Sequence, residues 1–440
     1  MNKKTIAIGF MLFALFFGAG NLIFPPSLGW RSGDTFHWMI LGFIMTGVGL
    51  PLIGVVAGLF SEHGFNSEAR RVHPAFAVLF MVTIYLTIGP FFAIPRTAAT
   101  AFEMGAASFL DPALMDWRIG GFKPPLLIFS SLYFLLVFAL SVKPNRIVDV
   151  VGKVLTPLLL LSIIALVVKA FFVLDEPVTN IASDFNANAP FMNGFLDGYE
   201  TMDTIAAVAF SIIVLKAVRA TGLNTHKEVF SNAFKAALIA GGFLALIYLA
   251  LGWIGNHYPI SGQEQAALAA SKQHYGTYIL TQVAAATYGS GGKLLLAIVV
   301  TLACLTTAIG LIVSVSSYFY ELWPKHSYKT YAIIFTLISF VLANQGLSQV
   351  IQGSIPVLRV IYPITIVMIA LIFIDRLFKG IPDLCFQLAI GVTVLVSLLS
   401  QVYPASINWL PFAGVSMQWV LPAIAGLVIG TLGMFRKKNA

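Results

Sequence analysis

The chain has 440 residues, of which 58% are apolar and only 10% charged, and its mean hydropathy is +0.89. A soluble chain of this length carries about 25% charged residues and splits into several domains, so soluble enzymes, disordered proteins, nucleic-acid binders and disulfide scaffolds are excluded. The net charge of +8 is a matter of where the basic residues sit, as shown below, and implies no nucleic-acid partner. The two cysteines, Cys304 and Cys385, lie in apolar runs and indicate no bridge.

A bilayer core of ~30 Å needs about 20 mostly apolar residues per helix. Taken in chain order, the charge-poor runs predict twelve spans: 5–30, 37–60, 74–103, 124–142, 147–173, 190–217, 229–255, 291–320, 329–344, 353–375, 384–400 and 416–435. The amino terminus imitates a signal peptide, with Lys3 and Lys4 before an apolar stretch. That stretch continues through Phe24 and eleven more spans follow, so a first span is the expectation. With the amino terminus inside, eighteen of the 26 Lys and Arg residues fall at cytoplasmic ends, six outside, and Arg96 and Arg359 within spans. This bias predicts cytoplasmic N- and C-termini. Trp30, Trp38, Trp117, Trp253, Trp409 and Trp419 map to the outer interface and Trp323 to the inner one. Only two connections are long, about 174–189 and 256–290, both outside, and Gly262 to Ser271 reads as a short helix lying across the outer face.

Two spans contain interruptions. The first carries Gly18-Ala19-Gly20-Asn21 and then Pro25-Pro26. Each mid-helix Gly costs ~1 kcal/mol relative to Ala, so the stretch serves either close helix packing or an unwound segment whose N–H groups face an anion. The sixth span reads Asp197-Gly198-Tyr199-Glu200-Thr201-Met202-Asp203. Either that span starts later, leaving these carboxylates in an outer loop, or the helix breaks inside the membrane around them; residues 204–215 alone are too short to cross. Intramembrane charge usually lines a cavity. Breaks in spans one and six are the pattern of an inverted repeat of five helices, with solute bound near the midplane between them. The expected division is 1–173, 174–380 and two extra helices in 381–440. In span eight, Thr306 and Thr307 either bond back to their own helix or offer hydroxyls to a cation.

At these residues the chain resembles the bacterial branched-chain amino-acid carrier family. Leu15 through Pro26 looks like the family's opening signature, Gly198-Tyr199-x-Thr201-Met202-Asp203 like a second, and Pro95-Arg96-Thr97-Ala98 like a third. The resemblance implies a carrier of the amino-acid/polyamine/organocation superfamily with the leucine-transporter fold, importing leucine, isoleucine and valine with a coupling ion, usually sodium, across the bacterial inner membrane. It implies that Gly18, Ala19, Gly20 and Asn21 hold the substrate carboxylate, and that Tyr199, Glu200, Thr201 and Asp203 meet its ammonium. Phe91 and Phe92 would form an apolar wall. The carbonyls of Ala14, Phe17 and Ala303 with the hydroxyls of Thr306 and Thr307 would hold sodium. Arg96 is expected to pair with Glu200 or Asp203 at a gate, with Arg359 a further gate or coupling candidate. Lys153 is the alternative to sodium, since a lysine in helix five replaces the ion in proton-coupled relatives of this fold. Another neutral amino acid or proline is the alternative substrate. Neither a Walker-type G-x-x-x-x-G-K-[ST] nor H-E-x-x-H is present, so no enzyme and no cofactor is expected, and no repeated pore loop favours a channel.

Overall fold

The computed structural model describes residues 3–60, 64–111, 114, 117–120, 123–142, 156–174, 177, 178, 187–223, 225–271 and 273–438. The chain belongs to the all-α class. Among the described residues the helices group into twelve segments, numbered in chain order as crossings; seven helices, or eight counting the bent sixth segment, are long and apolar enough to cross a membrane. The first crossing is two half-helices, α1 (Lys3–Phe16) and α2 (Ala19–Ser32). The second is α3 (Phe36–Ile44) and α4 (Leu50–Gly58), joined by the wide turn Met45–Gly49. From Ala19 to Gly58 the chain stays helical for 40 residues, about 60 Å at 1.5 Å per residue. That is two bilayer thicknesses, and the chain reverses at Gly33, whose φ is 48°. A short helix, α5 (Phe65–Arg70), precedes the third crossing, α6 (Pro74–Leu86) and α7 (Ala93–Thr100). Then come α8 (Pro124–Ser141) and α9 (Thr156–Phe171). The sixth crossing is α10 (Pro190–Asp197) and α11 (Asp203–Arg219), which turn by 47° at their break. α12 (His226–Asn256) is followed by a helical hairpin, α13 (Gly262–Ser271) and α14 (Tyr275–Tyr288). Five helices complete the chain: α15 (Ser290–Leu322), α16 (Tyr328–Ala343), α17 (Leu347–Leu377), α18 (Asp383–Val402) and α19 (Val420–Lys438).

The span boundaries hold to within a few residues, with two shifts. α17 begins at Leu347 rather than near 353, and α19 begins at Val420 rather than near 416. The short helix predicted over Gly262 to Ser271 is α13. Most of the expected 174–189 connection, the start of span five and Lys153 lie outside the described residues.

Small residues set the closest helix contacts. A Cβ on Gly29 of α2 would overlap the Gly252 carbonyl of α12, and one on Gly255 of α12 would overlap the Pro26 carbonyl of α2. Gly42 of α3 and Gly194 of α10 stand in the same relation to the carbonyls of Phe191 and Met39. The second half of span one and the first half of span six are thus locked, backbone against backbone, to spans seven and two. Lipid-facing positions carry the remaining apolar surface, such as Leu79, Leu132, Leu161, Leu246 and Val341.

Between the second and third crossings Arg71 donates to Asp375 at 2.9 Å, to Asp383 at 2.7 Å and to the Ile381 carbonyl at 2.6 Å. Its guanidinium lies 4.0 Å from the centroid of Phe386. Burial penalises the Arg71 charge, and the two carboxylates more than offset that, raising its pKa. The connection after span two is thereby pinned to the ends of α17 and α18.

Candidate functional site: a cavity between two broken helices

The two breaks face each other. α1 ends with the Phe17 N–H donating to the Phe13 carbonyl at 2.7 Å. Gly18 is extended (φ −123°, ψ −152°), and its N–H donates to the Asn21 side chain at 3.0 Å. The first N–H groups of α2, at Ala19 and Gly20, have no intrahelical carbonyl to bond and line the cavity. In span six, α10 tightens into a 3-10 turn over Gly198–Thr201, and Met202 takes a left-handed conformation (φ 65°). That positive φ in a non-Gly residue is uncommon and marks local strain. α11 then starts at Asp203, a carboxylate at a helix N-terminus, where the dipole favours negative charge.

Asn21 joins the halves. Its amide donates to Asp203 at 2.5 Å and to the Tyr248 hydroxyl, while Tyr248 donates to the same carboxylate oxygen at 2.9 Å. Asn21, Asp203 and Tyr248 are all buried. Tyr248, on α12, is a site residue that sequence reasoning missed. Its only signal was one phenol hydroxyl in the apolar stretch Ile247-Tyr248-Leu249.

Arg96 is 3% exposed. It does not pair with the carboxylates of Glu200 or Asp203, as the sequence had suggested. It donates instead to the backbone carbonyls of Glu200 (2.7 Å) and Thr201 (3.2 Å), and its guanidinium lies 5.3 Å from the Phe24 centroid. The broken turn of span six leaves carbonyls without helical partners, and the guanidinium supplies donors in a fixed fork. Two glycines make room for this arrangement. A Cβ on Gly20 would stand 2.7 Å from Arg96 Nη2, and one on Gly18 would stand 2.7 Å from Thr307 Oγ1.

The cavity is also lined by Ile88, Ala93 and Thr97 from span three, by Thr201, Ala206 and Phe210 from span six, and by Leu311 from span eight. Its volume is about 20 Å³, room for roughly one water, which needs about 10–15 Å³. The breaks are therefore closed on one another, and an amino acid requires them to part.

Four expected residues lie elsewhere. Phe91 is 42% exposed and, with Phe92, is absent from the cavity wall. The wide turn Thr87–Phe91 inserts an extra residue into span three, so Ile88 and Ala93, five apart, share the inner face. Tyr199 and Glu200 line a separate outer cavity together with Arg359. The 3-10 turn winds by about 120° per residue instead of 100°, which rotates these two side chains off the face that carries Asp203.

Beside the first break lies a cluster of oxygens. Thr306 Oγ1 is 2.9 Å from both the Ala14 and Ala303 carbonyls, and Thr307 Oγ1 is 3.1 Å from the Leu15 carbonyl and 3.4 Å from that of Ala14. Leu15 joins this set unpredicted, and no described hydrogen bond links the Phe17 carbonyl to either threonine. All five oxygens, two hydroxyls and three carbonyls, are neutral. Edges near 3 Å suit a hard cation with metal–oxygen distances of about 2.3–2.6 Å, the range for calcium-sized ions. No group of three His, Cys, Asp or Glu converges among the described residues.

Helices broken at positions one and six, with a small polar cavity between the breaks, define the leucine-transporter fold. Two solved structures share it: MhsT in complex with L-phenylalanine (16% identical, 97% of this chain and 98% of that one, TM-score 0.57), and MHP1, a nucleobase-cation-symport-1 family transporter with bromovinylhydantoin bound (13% identical, 98% and 91%, TM-score 0.63). The family model for branched-chain amino acid transport proteins matches residues 1–437. Relatives bearing the name branched-chain amino acid carrier protein include one from Staphylococcus saprophyticus, 46% identical over 98% of this chain and 96% of its own, and one from Staphylococcus aureus, 43% identical over 100% and 98%. The chain belongs to the branched-chain amino acid transport protein family: it is a multi-pass membrane carrier and not an enzyme.

Proposed function

We propose that the chain is a sodium-coupled importer of leucine, isoleucine and valine, working by alternating access in the bacterial inner membrane with both termini cytoplasmic. The observation that carries this reading is the pairing of free N–H groups at the start of α2 with the Asp203 carboxylate across one cavity. An amino acid's carboxylate suits the first and its ammonium the second. Ile88, Ala93, Ala206, Phe210 and Leu311 offer an apolar wall to a branched side chain, in place of Phe91 and Phe92. Sodium would sit among Ala14, Leu15, Ala303, Thr306 and Thr307, one turn from the substrate carboxylate. Filling that cluster satisfies oxygens that otherwise hold α1 to α15 by hydroxyl donation alone, so the ion would favour a closed first break.

The test is uptake of radiolabelled leucine by purified protein in proteoliposomes, with sodium and pH gradients imposed separately. Uptake driven by sodium and competed by valine and isoleucine is expected. Uptake that follows a pH gradient and ignores sodium transfers the coupling role to a proton, with Lys153 its candidate. Competition by proline or alanine, and none by valine or isoleucine, refutes the substrate assignment.

A further inference from the structure

The break in span six is bridged by one residue of span two. Thr46 sits in the wide turn Met45–Gly49 that joins α3 to α4. Such a turn inserts one residue into a helix and upsets its ladder of hydrogen bonds, and such turns gather at functional sites. The Thr46 hydroxyl donates to the Phe195 carbonyl at 2.8 Å. Phe195 lies in the last turn of α10, where carbonyls run out of helical donors. The Thr46 carbonyl accepts in return from the Thr204 hydroxyl at 3.1 Å, in the first turn of α11. A single residue thus holds both sides of the 47° break.

A buried threonine in a helix ordinarily satisfies its hydroxyl on its own helix. Thr365 and Thr393 do so, bonding the carbonyl four residues back at 2.9 and 2.7 Å. The Thr46 hydroxyl stands 3.3 Å from each of its local carbonyls, Gly42 and Phe43, so its shortest bond is the one that crosses to span six. Thr46 and Thr204 are both fully buried, and bulk water does not compete for these bonds. The fit extends to their neighbours. A Cβ on Gly198 would overlap the Thr46 hydroxyl, and one on Gly47 would stand 3.1 Å from the Tyr248 ring and 3.7 Å from the Thr201 methyl. The wide turn therefore touches the tight turn Gly198–Thr201, the residue after Asp203, and Tyr248, which donates to Asp203. We infer that Thr46, which does not line the central cavity, is a positioning residue for transport. It sets the shape of the span-six break, and with it the place of Asp203 and of the Glu200 and Thr201 carbonyls that Arg96 holds. The inference rests on the branched-chain amino-acid reading for its binding readout, and on hydrogen-bond geometry alone for the shape of the break.

The test is equilibrium binding of radiolabelled leucine to the purified full chain, with a thermal melt of the same sample and amide exchange over 198–204. Thr46→Val keeps the side chain's shape and removes the donor. Leucine affinity should fall about tenfold, as for one buried hydrogen bond, and the break amides should exchange faster. The melting temperature should move by only a few degrees. Thr46→Ser restores the hydroxyl and should bind and exchange like the wild type. Thr204→Val removes the return bond, should repeat the loss, and keeps the question answerable if Thr46→Val folds poorly. Thr46 and Tyr248 both act through Asp203, so Thr46→Val combined with Tyr248→Phe should lose less than the product of the two single losses. Two unrelated structural effects would multiply. Wild-type affinity in both Thr46→Val and Thr204→Val overturns the inference. So does a multiplicative double variant, or a Thr46→Ser form as weak as Thr46→Val. If the wild type binds no leucine, the substrate reading falls by itself and amide exchange decides on Thr46. Faster exchange at the break in Thr46→Val but not in Thr46→Ser upholds its role, and unchanged exchange overturns it.

Discussion

Replacing Arg96 by Met removes a guanidinium that is 3% exposed and bonded to the Glu200 and Thr201 carbonyls. Hydrogen bonds to a charged group are worth about 1.5–3 kcal/mol each, so two of them contribute about 3–6 kcal/mol. Keeping a guanidinium away from water costs several kcal/mol in return. The two terms nearly cancel for overall stability, and the melting temperature should move by only a few degrees. They do not cancel locally, because two carbonyls at the break lose their donors at about 1–3 kcal/mol each. If the liganded state must keep that break formed, a cost near 3 kcal/mol weakens leucine binding by ~100-fold, at 1.4 kcal/mol per factor of ten. Arg96→Lys retains the charge and one donor, and should lose about tenfold. The assay pairs leucine binding with a thermal melt of the same sample. Wild-type affinity in Arg96→Met would refute the view that Arg96 holds the break in its binding form. A large fall in melting temperature with matching loss of binding would reduce its role to general stability.

Three further outcomes follow from the geometry. Tyr248→Phe removes one hydroxyl from the Asn21–Asp203 group, and leucine affinity measured by equilibrium binding should fall about tenfold, the equivalent of one buried hydrogen bond of ~1–2 kcal/mol. In Gly18→Ala the new methyl meets Thr307 Oγ1 at 2.7 Å. Half-saturation by sodium should then rise at least tenfold in a flux assay, while Ala→Gly changes at exposed positions leave it unmoved. On the helical hairpin Glu264 accepts from the Ser261 hydroxyl and N–H and from Tyr278, and these bonds lower its pKa to about 2. The free carboxyl titrates near 4.3, so the folded hairpin binds fewer protons than the open one between those values. Its stability is complete above about pH 4.3 and is lost as pH falls toward 2. Amide exchange over 261–278 should quicken in that window in the wild type and show no such step in Glu264→Gln.

Hydropathy and the distribution of Lys and Arg made the crossings legible, because a bilayer imposes length and orientation directly on composition. The breaks were legible for a similar reason: Gly18, Gly20 and three carboxylates in one span are too costly to be incidental. What surrounds the breaks was not. Glu200 and Asp203 are three apart and share a face on any regular helix. The tight turn over Gly198–Thr201 and the positive φ of Met202 undo that register, so one carboxylate points to the outer cavity and the other to the centre. The wide turn before Phe92 does the same in span three. Arg96 was expected to seek a carboxylate, yet the unpaired carbonyls of a broken helix compete for the same donors, and sequence records no sign of them. Tyr248 and Leu15 belong to the same class: one offers a hydroxyl and the other a backbone oxygen whose role depends on which helix lies opposite.

The glycine contacts between α2 and α12 and between α3 and α10 restrict how this carrier can move. Helices slide past one another by re-seating interlocked side chains, and a layer of side chains can absorb such small translations. Where peptide carbonyls lie directly against Cα atoms there is no such layer, and a displacement of even 1 Å drives backbone into backbone. Shear is thereby closed off for the second half of span one and the first half of span six, and rotation as rigid levers is left. The pivots are already present at Phe17–Gly18 and at Met202, so the two breaks that enclose the central cavity are also the points about which these levers can turn.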